Sequence, residues 1–270
     1  MAVIYSPPEN LKVIQNFKFS DKPEIIYQNR FYAVLYKPGG LPTAPLKEDE
    51  QDTLLSWFLS MEPEAANIYG KKKIEAGLIH RLDTPTCGLV LAAKTQDAFE
   101  ILSFMQENNL IEKTYYAFCN MHEKTVPNFI ESQFRPFGVK GKMAAPVFSS
   151  SKKFKKEKKM YRTNIISVDA KDNISSVTCS LTQGYRHQVR THLASIGLPI
   201  CGDALYNANF KKDFPYITDD ELQKHLYPLQ LYAVGISFPD FKNVNILKNV
   251  NCNLDRRISF LLPPPNKMIL

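Results

Sequence analysis

A series of short runs rich in β-branched and aromatic residues constrains the fold of this chain most strongly. These runs occupy residues 24–28, 31–37, 87–94, 113–119, 161–168, 174–182 and 231–238. They are typical of strands, and the turn residues between 168 and 174 predict an antiparallel pair on either side. Helix patterns are fewer and cover 53–61, 95–107 and 187–196. The sequence therefore predicts an α+β fold with a mixed, largely antiparallel sheet flanked by helices.

The domain organisation is predicted to be simple. The chain has 270 residues, enough for one large domain, and shows no internal repeat or low-complexity linker. We expect residues 1–23 to form an N-terminal extension of irregular structure. Residues 24–270 are expected to form one domain, with strand 231–238 as the last strand before a proline-rich tail and no separate N-terminal RNA-binding domain.

Charge is concentrated in one segment. The chain carries a net charge of +7, and residues 152–162 alone contain seven basic residues and one acid, Glu157. This segment therefore contributes +6 and the remainder only +1. Such a run is suited to a polyanionic partner, because lysines neutralise phosphates. It is equally typical of a solvated, mobile loop.

Several functional classes are excluded by the sequence. There is no signal-peptide pattern and no apolar run long enough for a membrane span, so we expect a cytoplasmic protein. The five cysteines are scattered and form no C-x-x-C pair, which argues against a disulfide framework and a zinc ribbon. We expect a monomer.

A first polar cluster interrupts the apolar runs at Leu78–Asp83. His80, Arg81 and Asp83 lie within four residues, between a strand-like run and a turn. A cation and a carboxylate at a strand end suit a catalytic or binding site. They also suit a structural Arg–Asp pair.

A second cluster spans Gly184–His192, and a third, Gly197–Tyr206, reads as an ordered loop. On the predicted helix, His187 and Arg190 share one face, which either lines a cleft or is a solvated basic face. Metal binding is not supported, because His187 and His192 are five residues apart rather than the four that place two ligands together.

Together, these residues resemble the RluA-type pseudouridine synthases, which isomerise uridine to pseudouridine in structured RNA. The matching motifs, in the family's order, are Lys37–Leu41, His80–Lys94, Lys113–Ala117, Gly184–Tyr206 and Leu231–Ala233 with Phe238–Pro239. The resemblance covers about residues 24–240 and implies the pseudouridine synthase fold with a central catalytic cleft. It implies an isomerase (an intramolecular transferase) that acts on rRNA or tRNA and needs no cofactor or metal.

The resemblance also assigns roles to individual residues. Asp83 matches the catalytic carboxylate, which acts either as a nucleophile at the anomeric carbon or as a base on a neighbouring ribose proton. Arg190 matches the arginine that pairs with it. Tyr115 matches the aromatic residue against the uracil, where it either removes the C5 proton or only stacks. Arg81 matches the residue that replaces the extruded base in the RNA.

Further RNA-binding candidates follow from the same matches and from the basic run. They are His80, Lys37, Arg186, His187, Lys155 and Lys156. Of these, His80 and His187 are expected to hold loop geometry. Lys37, and Lys94 outside this set, are expected to make phosphate or structural contacts. Two departures stand out: Tyr185 replaces a usual Arg, and Cys87 replaces a common Ser.

Two other functions compete with this interpretation. A non-catalytic RNA-binding protein or RNA chaperone on the same fold is the main alternative, although binding alone does not require Asp83, Tyr115 and Arg190 together. A hydrolase unrelated to RNA is weaker still, because the sequence offers neither a second carboxylate at a readable distance nor a Ser–His pair.

Overall fold

The computed structural model describes residues 10–47, 49–120, 125–171, 173–241 and 256–268. Its strands are β1 Asn10–Val13, β2 Glu24–Gln28, β3 Tyr32–Lys37, β4 Cys87–Ala93, β5 Glu112–Asn120, β6 Phe129–Phe137, β7 Met143–Val147, β8 Tyr161–Lys171, β9 Ile174–Leu181, β10 Leu231–Pro239 and β11 Arg257–Leu261. Its α-helices are α1 Leu54–Met61, α2 Gln96–Glu107, α3 Gln188–Ser195, α4 Phe210–Asp213 and α5 Asp219–Gln223. Short 3₁₀ turns occupy Pro63–Asn67, Lys73–Glu75 and Val139–Gly141.

All eleven strands belong to one sheet. Nine follow the order β2-β3-β4-β10-β5-β9-β8-β6-β7, and β11 joins β10 and β1. Two pairings are parallel, β4 with β10 and β1 with β11, and the others are antiparallel. The predicted α+β class with a mixed, largely antiparallel sheet is therefore confirmed, as is the β8–β9 pair.

The parallel contact between β4 and β10 lies at the centre of the sheet and depends on a glycine. Gly88 pairs with Ala233 and has a φ of 128°, a backbone conformation that side chains disfavour. A Cβ at this position would lie 2.3 Å from the Ala233 carbonyl oxygen. This close approach holds the start of β4, and so the loop that carries Asp83, against β10.

Local signals located the predicted helices well. Thr95 caps α2 by accepting a hydrogen bond from the Ala98 backbone N–H, and the helix ends at Asn108. Thr53 caps α1 in the same way. The predicted turn after β2 is also present, because the Asn29 side chain accepts hydrogen bonds from two following backbone N–H groups.

Three predictions about the chain were wrong. Residues 10–13 are not irregular but form β1, which lies beside β11 in the common sheet; residues 1–9 lie outside the described part. The strand at 231–239 is not the last, since β11 follows it and pairs with it. The turn between β8 and β9 is also tighter than 169–173, because β8 continues to Lys171.

No helix in the described part of the chain has the length and apolar character needed to cross a membrane.

Candidate active site

A cleft of about 870 Å³ opens where several loops meet strand ends of the sheet. One wall is the loop from Ile79 to Thr86, which precedes β4. Tyr115 of β5 also lines the cleft, and the loop Gln183–His187 with the start of α3 forms the opposite wall. The first two sequence clusters and the predicted aromatic residue therefore lie together, although a hundred residues of chain separate the clusters.

Asp83 faces a buried arginine across this cleft. The Arg190 side chain is 1% exposed, and its Nη1 lies 3.4 Å from Asp83 Oδ2. Its other nitrogens are occupied: Nε and Nη2 donate to the two oxygens of Asp203 at 2.8 and 2.7 Å, and Nη2 also donates to the Tyr227 hydroxyl at 3.0 Å. Arg190 is thus fixed from behind by Asp203 and presents its remaining nitrogen to Asp83.

The charge of Arg190 is secured despite its burial. Burial alone would lower its pKa, but hydrogen bonds and charge from Asp203 raise the pKa well above the usual arginine value. Asp203 is itself fully buried and also accepts from the backbone N–H groups of Leu205 and Tyr206. One buried cation therefore serves two carboxylates, of which only Asp83 is solvent-accessible, with a quarter of its side chain exposed.

His187 is a neutral neighbour of Asp83. It precedes α3 in a left-handed conformation with φ 58°, and its Nε2 lies 3.8 Å from Asp83 Oδ2. Burial lowers the pKa of His187 to about 4, so the ring is uncharged at neutral pH. The Tyr206 hydroxyl accepts from the Ala144 backbone and lies 2.8 Å from His187 Nδ1. If the hydroxyl donates a hydrogen bond to Nδ1, the neutral ring is the tautomer with its hydrogen on Nε2, and this N–H faces Asp83.

Tyr115 is a buried phenol near the same carboxylate. It lies on β5 between Ala233 of β10 and Cys179 of β9, and it is 9% exposed. Burial raises the pKa of Tyr115 well above its usual value, and the charge of Asp83 raises it further. The hydroxyl is therefore protonated at neutral pH, and the ring offers a flat apolar face.

For Lys37 and Lys94, the sequence leaves phosphate and structural contacts open, and both side chains have structural partners. Lys37 is fully buried, and its Nζ donates to the carbonyls of Pro38, Leu41 and Thr84 at 2.7–3.0 Å. It thereby ties the turn after β3 to the residue next to Asp83, which excludes direct RNA contact. Lys94 is partly buried and donates to Glu62 Oε1 at 2.7 Å, in an ion pair, and to Gln28 Oε1 at 3.0 Å.

Three further candidates, His80, Arg81 and Arg186, line the cleft and differ in charge and exposure. His80 is neutral because burial lowers its pKa to about 3, and its Nε2 accepts the Leu91 backbone N–H at 3.2 Å. Arg81 is exposed and holds Glu75 at 3.0 Å. Arg186 is also exposed and donates to the carbonyls of Gly141 and Met143. Both arginines therefore lie at the surface of the cleft with replaceable partners.

The basic segment 152–162 is an anchored surface loop. All seven of its basic side chains are exposed, and its six lysines form no ion pair with any residue of the described chain. Buried Gln133 of β6 donates to the carbonyls of Lys155 and Lys158 and accepts from the Lys155 backbone N–H. These contacts give the segment a backbone anchor, and its basic side chains are solvated. Lys159 at its end lines the cleft.

The predicted polar helix face needs a correction as well. The helix α3 begins at Gln188, so His187 precedes it, and Arg190 is buried rather than part of a solvated basic face. His192 is buried too, with its two ring nitrogens 2.9 Å from the hydroxyls of Ser132 and Thr163. Among the described residues, no group of three or more His, Cys, Asp or Glu side chains is arranged to hold a metal.

The family model described as RNA pseudouridylate synthase matches residues 31–195. The chain belongs to this family. Among its relatives, a ribosomal large subunit pseudouridine synthase D from Neisseria meningitidis is 30% identical over 198 residues, covering 71% of this chain and 49% of the relative. The corresponding protein from Pseudomonas aeruginosa is 28% identical over 188 residues, covering 70% and 54%.

Solved structures of the family share the fold. Human RNA pseudouridylate synthase domain containing 1 matches with a TM-score of 0.58 at 18% identity, over 81% of this chain and 79% of that one. Human RNA pseudouridylate synthase domain containing 4 matches with a TM-score of 0.55 at 19% identity, over 90% of this chain and 88% of that one. The resemblance to pseudouridine synthases and the fold predicted from it are confirmed, while the chain spans about half to three-fifths of the length of the curated relatives it matches.

Three residues around Arg190 were missed as site residues. Asp203 lies in the third cluster, whose Gly202-Asp203 step was the available signal. Gly202 has a φ of 72° and approaches Pro228 so closely that a Cβ would lie 2.0 Å from its carbonyl oxygen. Tyr206 ends the same cluster. Tyr227 follows α5 and carried no signal, because nothing in its local sequence indicates contact with α3.

Proposed function

We propose that this protein is an RNA pseudouridine synthase in which Asp83 carries the reaction. The observation that supports this most is the accessible Asp83 carboxylate beside a buried arginine whose charge Asp203 secures. Both possible roles of Asp83 require a charged carboxylate, and the Arg190 cation 3.4 Å away attracts negative charge at that position. An uncharged carboxylic acid could serve neither as a nucleophile nor as a base.

The reaction breaks the bond between uracil N1 and ribose C1′ and forms one from C5 to C1′. In one route, Asp83 attacks C1′, uracil leaves with the N1–C1′ electron pair, and the Asp83–C1′ ester bond breaks when C5 attacks C1′. In the other, Asp83 removes the proton of ribose C2′ as the N1–C1′ bond breaks, and it returns that proton when C5 bonds to C1′. In both, the base rotates, C5 bonds to C1′, C5 loses its proton and N1 gains one. No atom is gained or lost and no electron is transferred, so we propose that neither cofactor nor metal takes part.

The protonated hydroxyl of Tyr115 favours a stacking role over that of a ground-state base. We assign it the face of the target uracil, because it lines the cleft with Asp83. The uridine must leave its stack to reach them, at a cost of about a few kcal/mol. Exposed Arg81 is assigned to the space that the uridine vacates, since its contact with Glu75 is a surface pair of little strength.

The proposed substrate is structured RNA. Lys159 and Arg186 supply positive charge in the cleft lining, and the other exposed lysines of 152–162, including Lys155 and Lys156, lie on the same segment as Lys159. His80 and His187, uncharged and half-buried, are assigned to hold the cleft walls. Relatives named for the ribosomal large subunit make rRNA the first candidate, with tRNA the second. We further propose a monomer that works in the cytoplasm as one catalytic domain.

The test is to map pseudouridine in RNA from a strain that lacks this gene. The strain is complemented with wild type, Asp83→Asn, or Asp220→Asn as a control on an exposed surface pair. We expect wild type and Asp220→Asn to restore a modified site and Asp83→Asn to leave it unmodified. Purified protein should also release tritium from the strain's RNA labelled at uracil C5. If Asp83→Asn restores the same sites, the catalytic assignment fails and the RNA-binding alternative takes its place.

A further inference from the structure

Three aromatic rings form a preformed stack at the edge of the cleft. Tyr185 lies parallel to Phe134, with ring centroids 4.7 Å apart and planes 7° apart. Tyr161 meets both rings edge-on, at 5.7 Å from Phe134 and 5.3 Å from Tyr185. We call Phe134, Tyr161 and Tyr185 the aromatic shelf.

The shelf is rigid at its base and open at its edge. Phe134 is buried on β6 and rests on the His192 ring at 5.0 Å. Tyr161 starts β8, Tyr185 precedes α3, and both are half-buried and line the cleft. A Cβ at neighbouring Gly184 would meet no atom within 4 Å, so the cleft has room beside Tyr185.

The shelf lies close to the proposed reaction centre. Tyr185 is two residues from His187, whose imidazole is 3.8 Å from the Asp83 carboxylate. Two peptide units separate their Cα atoms by at most about 7.6 Å. Since Tyr185, Tyr161 and Asp83 also line one cleft, a ligand on the shelf occupies the same cleft as a group held at Asp83.

The charge around the shelf is positive. Lys159 Nζ lies 5.5 Å from the centre of the Tyr161 ring, within the range of a cation–π contact. Lys155, Lys156 and Lys158 are exposed on the same anchored loop and have no ion-pair partner among the described residues. Flat π faces beside free ammonium groups suit a ligand that is itself a flat ring joined to a phosphate.

We propose that the aromatic shelf stacks an unpaired nucleobase adjacent to the target uridine, with Lys159 on the neighbouring phosphate. The proposal rests on the proposed function for the identity of the neighbouring nucleotide. The base lies on the ring face of Tyr185 opposite Phe134, which extends the existing stack by one layer.

The test uses two short RNAs that each contain a single uridine with one fluorescent 2-aminopurine beside it, on the 5′ side in one and the 3′ side in the other. All other positions are abasic. Anisotropy of a terminal dye reports affinity, and 2-aminopurine quenching reports stacking. With wild type, we expect one of the two RNAs to be quenched and to bind about tenfold more tightly than its counterpart without the purine base.

The matched variants separate stacking from general binding. Tyr185→Phe should retain both signals, and Tyr69→Ala, an exposed tyrosine outside the cleft, should match wild type. Tyr185→Ala should lose the quenching and the tenfold preference but keep the affinity for the RNA without the purine. Tyr161→Ala provides a second variant if thermal unfolding shows that Tyr185→Ala is misfolded.

Equal affinity and quenching in wild type, Tyr185→Ala and Tyr161→Ala would overturn the shelf. A loss of affinity that is the same with and without the purine would overturn it too. Neither readout requires turnover. If the shelf signals persist while wild type releases no tritium from C5-labelled RNA, the proposed isomerase function fails and the nucleobase site stands.

Discussion

Arg190 shows how one buried residue holds the candidate site together. Its two-point contact with Asp203 compensates for its burial, so we expect Asp203→Asn to reduce the free energy of unfolding by about 3–5 kcal/mol. Urea denaturation measures this loss. The control is Asp220→Asn, which breaks an exposed pair with Lys224 and should cost less than about 1 kcal/mol. Equal losses in the two variants would contradict this account of Arg190.

Lys37 gives the stability a predictable pH dependence. Burial lowers the pKa of Lys37 to about 7, whereas the unfolded chain has an ordinary lysine near 10.5. Between these values the unfolded state binds more protons, so deprotonation favours the folded state as pH rises. We expect the free energy of unfolding of wild type, measured relative to Lys37→Met, to increase from about pH 7 towards pH 10. If the difference in the free energy of unfolding between wild type and Lys37→Met stays flat or falls with pH, then burying the charged form of Lys37 does not cost stability.

The place of a residue in the candidate site was predictable where a sequence motif contains it. The role of a residue was not predictable where burial determines that role. Asp83, Arg190 and Tyr115 lie in ordered motifs and meet in one cleft. Lys37 lies in a motif as well, but only the fold shows that three carbonyls enclose its ammonium group. Sequence alone cannot separate a phosphate-binding lysine from a buried one.

At the scale of elements, α1, α2 and α3 were predicted, whereas the short helices α4 and α5 were not. The end signals of α2 are local: Thr95 at the start, and Asn108 at the end. By contrast, β6 and β7 were missed. Pro136 and Pro146 interrupt their patterns, and proline is tolerated in strands mainly at sheet edges, where β7 lies. Because Gln133 lies on β6, its hydrogen bonds to the basic segment 152–162 were missed as well.

The basic segment 152–162 leads to a prediction about the salt dependence of RNA binding. We expect replacement of Lys155, Lys156, Lys158 and Lys159 by Gln to weaken binding of a stem–loop RNA. The slope of log Kd against log salt should fall by up to about 3, because each phosphate contact contributes roughly 0.7–0.9. Exposed Lys18, Lys22, Lys211 and Lys212 lie outside the cleft lining, and their replacement by Gln is the control. An unchanged slope in the loop variant would remove this loop from the RNA interface.

At the scale of the whole molecule, β11 joins distant parts of the chain. Phe260 is 1% exposed and packs on Tyr27 at 5.0 Å and Phe238 at 6.4 Å. We expect Phe260→Ala to lower the free energy of unfolding by about 3–5 kcal/mol, because it leaves a cavity between strands. Half-exposed Phe137 is the control, and Phe137→Ala should cost far less. A small loss for Phe260→Ala would mean that β11 contributes little to the core.

The β1–β11 pairing was beyond sequence reasoning for a physical reason. Asn10 pairs with Ile258, and no local pattern links strands that far apart. Antiparallel neighbours such as β8 and β9 are joined by a turn that the sequence marks, whereas a parallel pair needs a long crossover and carries no such mark. The largely antiparallel class of the sheet was therefore predictable, and the pairing of β1 with β11 was not.

The parallel pairing of β1 with β11 also orders events during synthesis. Within the described residues β1 pairs with β11 alone, so it has no partner while the loop of Asp83, the strand of Tyr115 and the helix of Arg190 are translated. Contacts so remote in sequence form late, because closing such a loop is entropically costly. We therefore expect the candidate cleft to form before β1 and β11 pair, so that this pairing stabilises a site that has already formed.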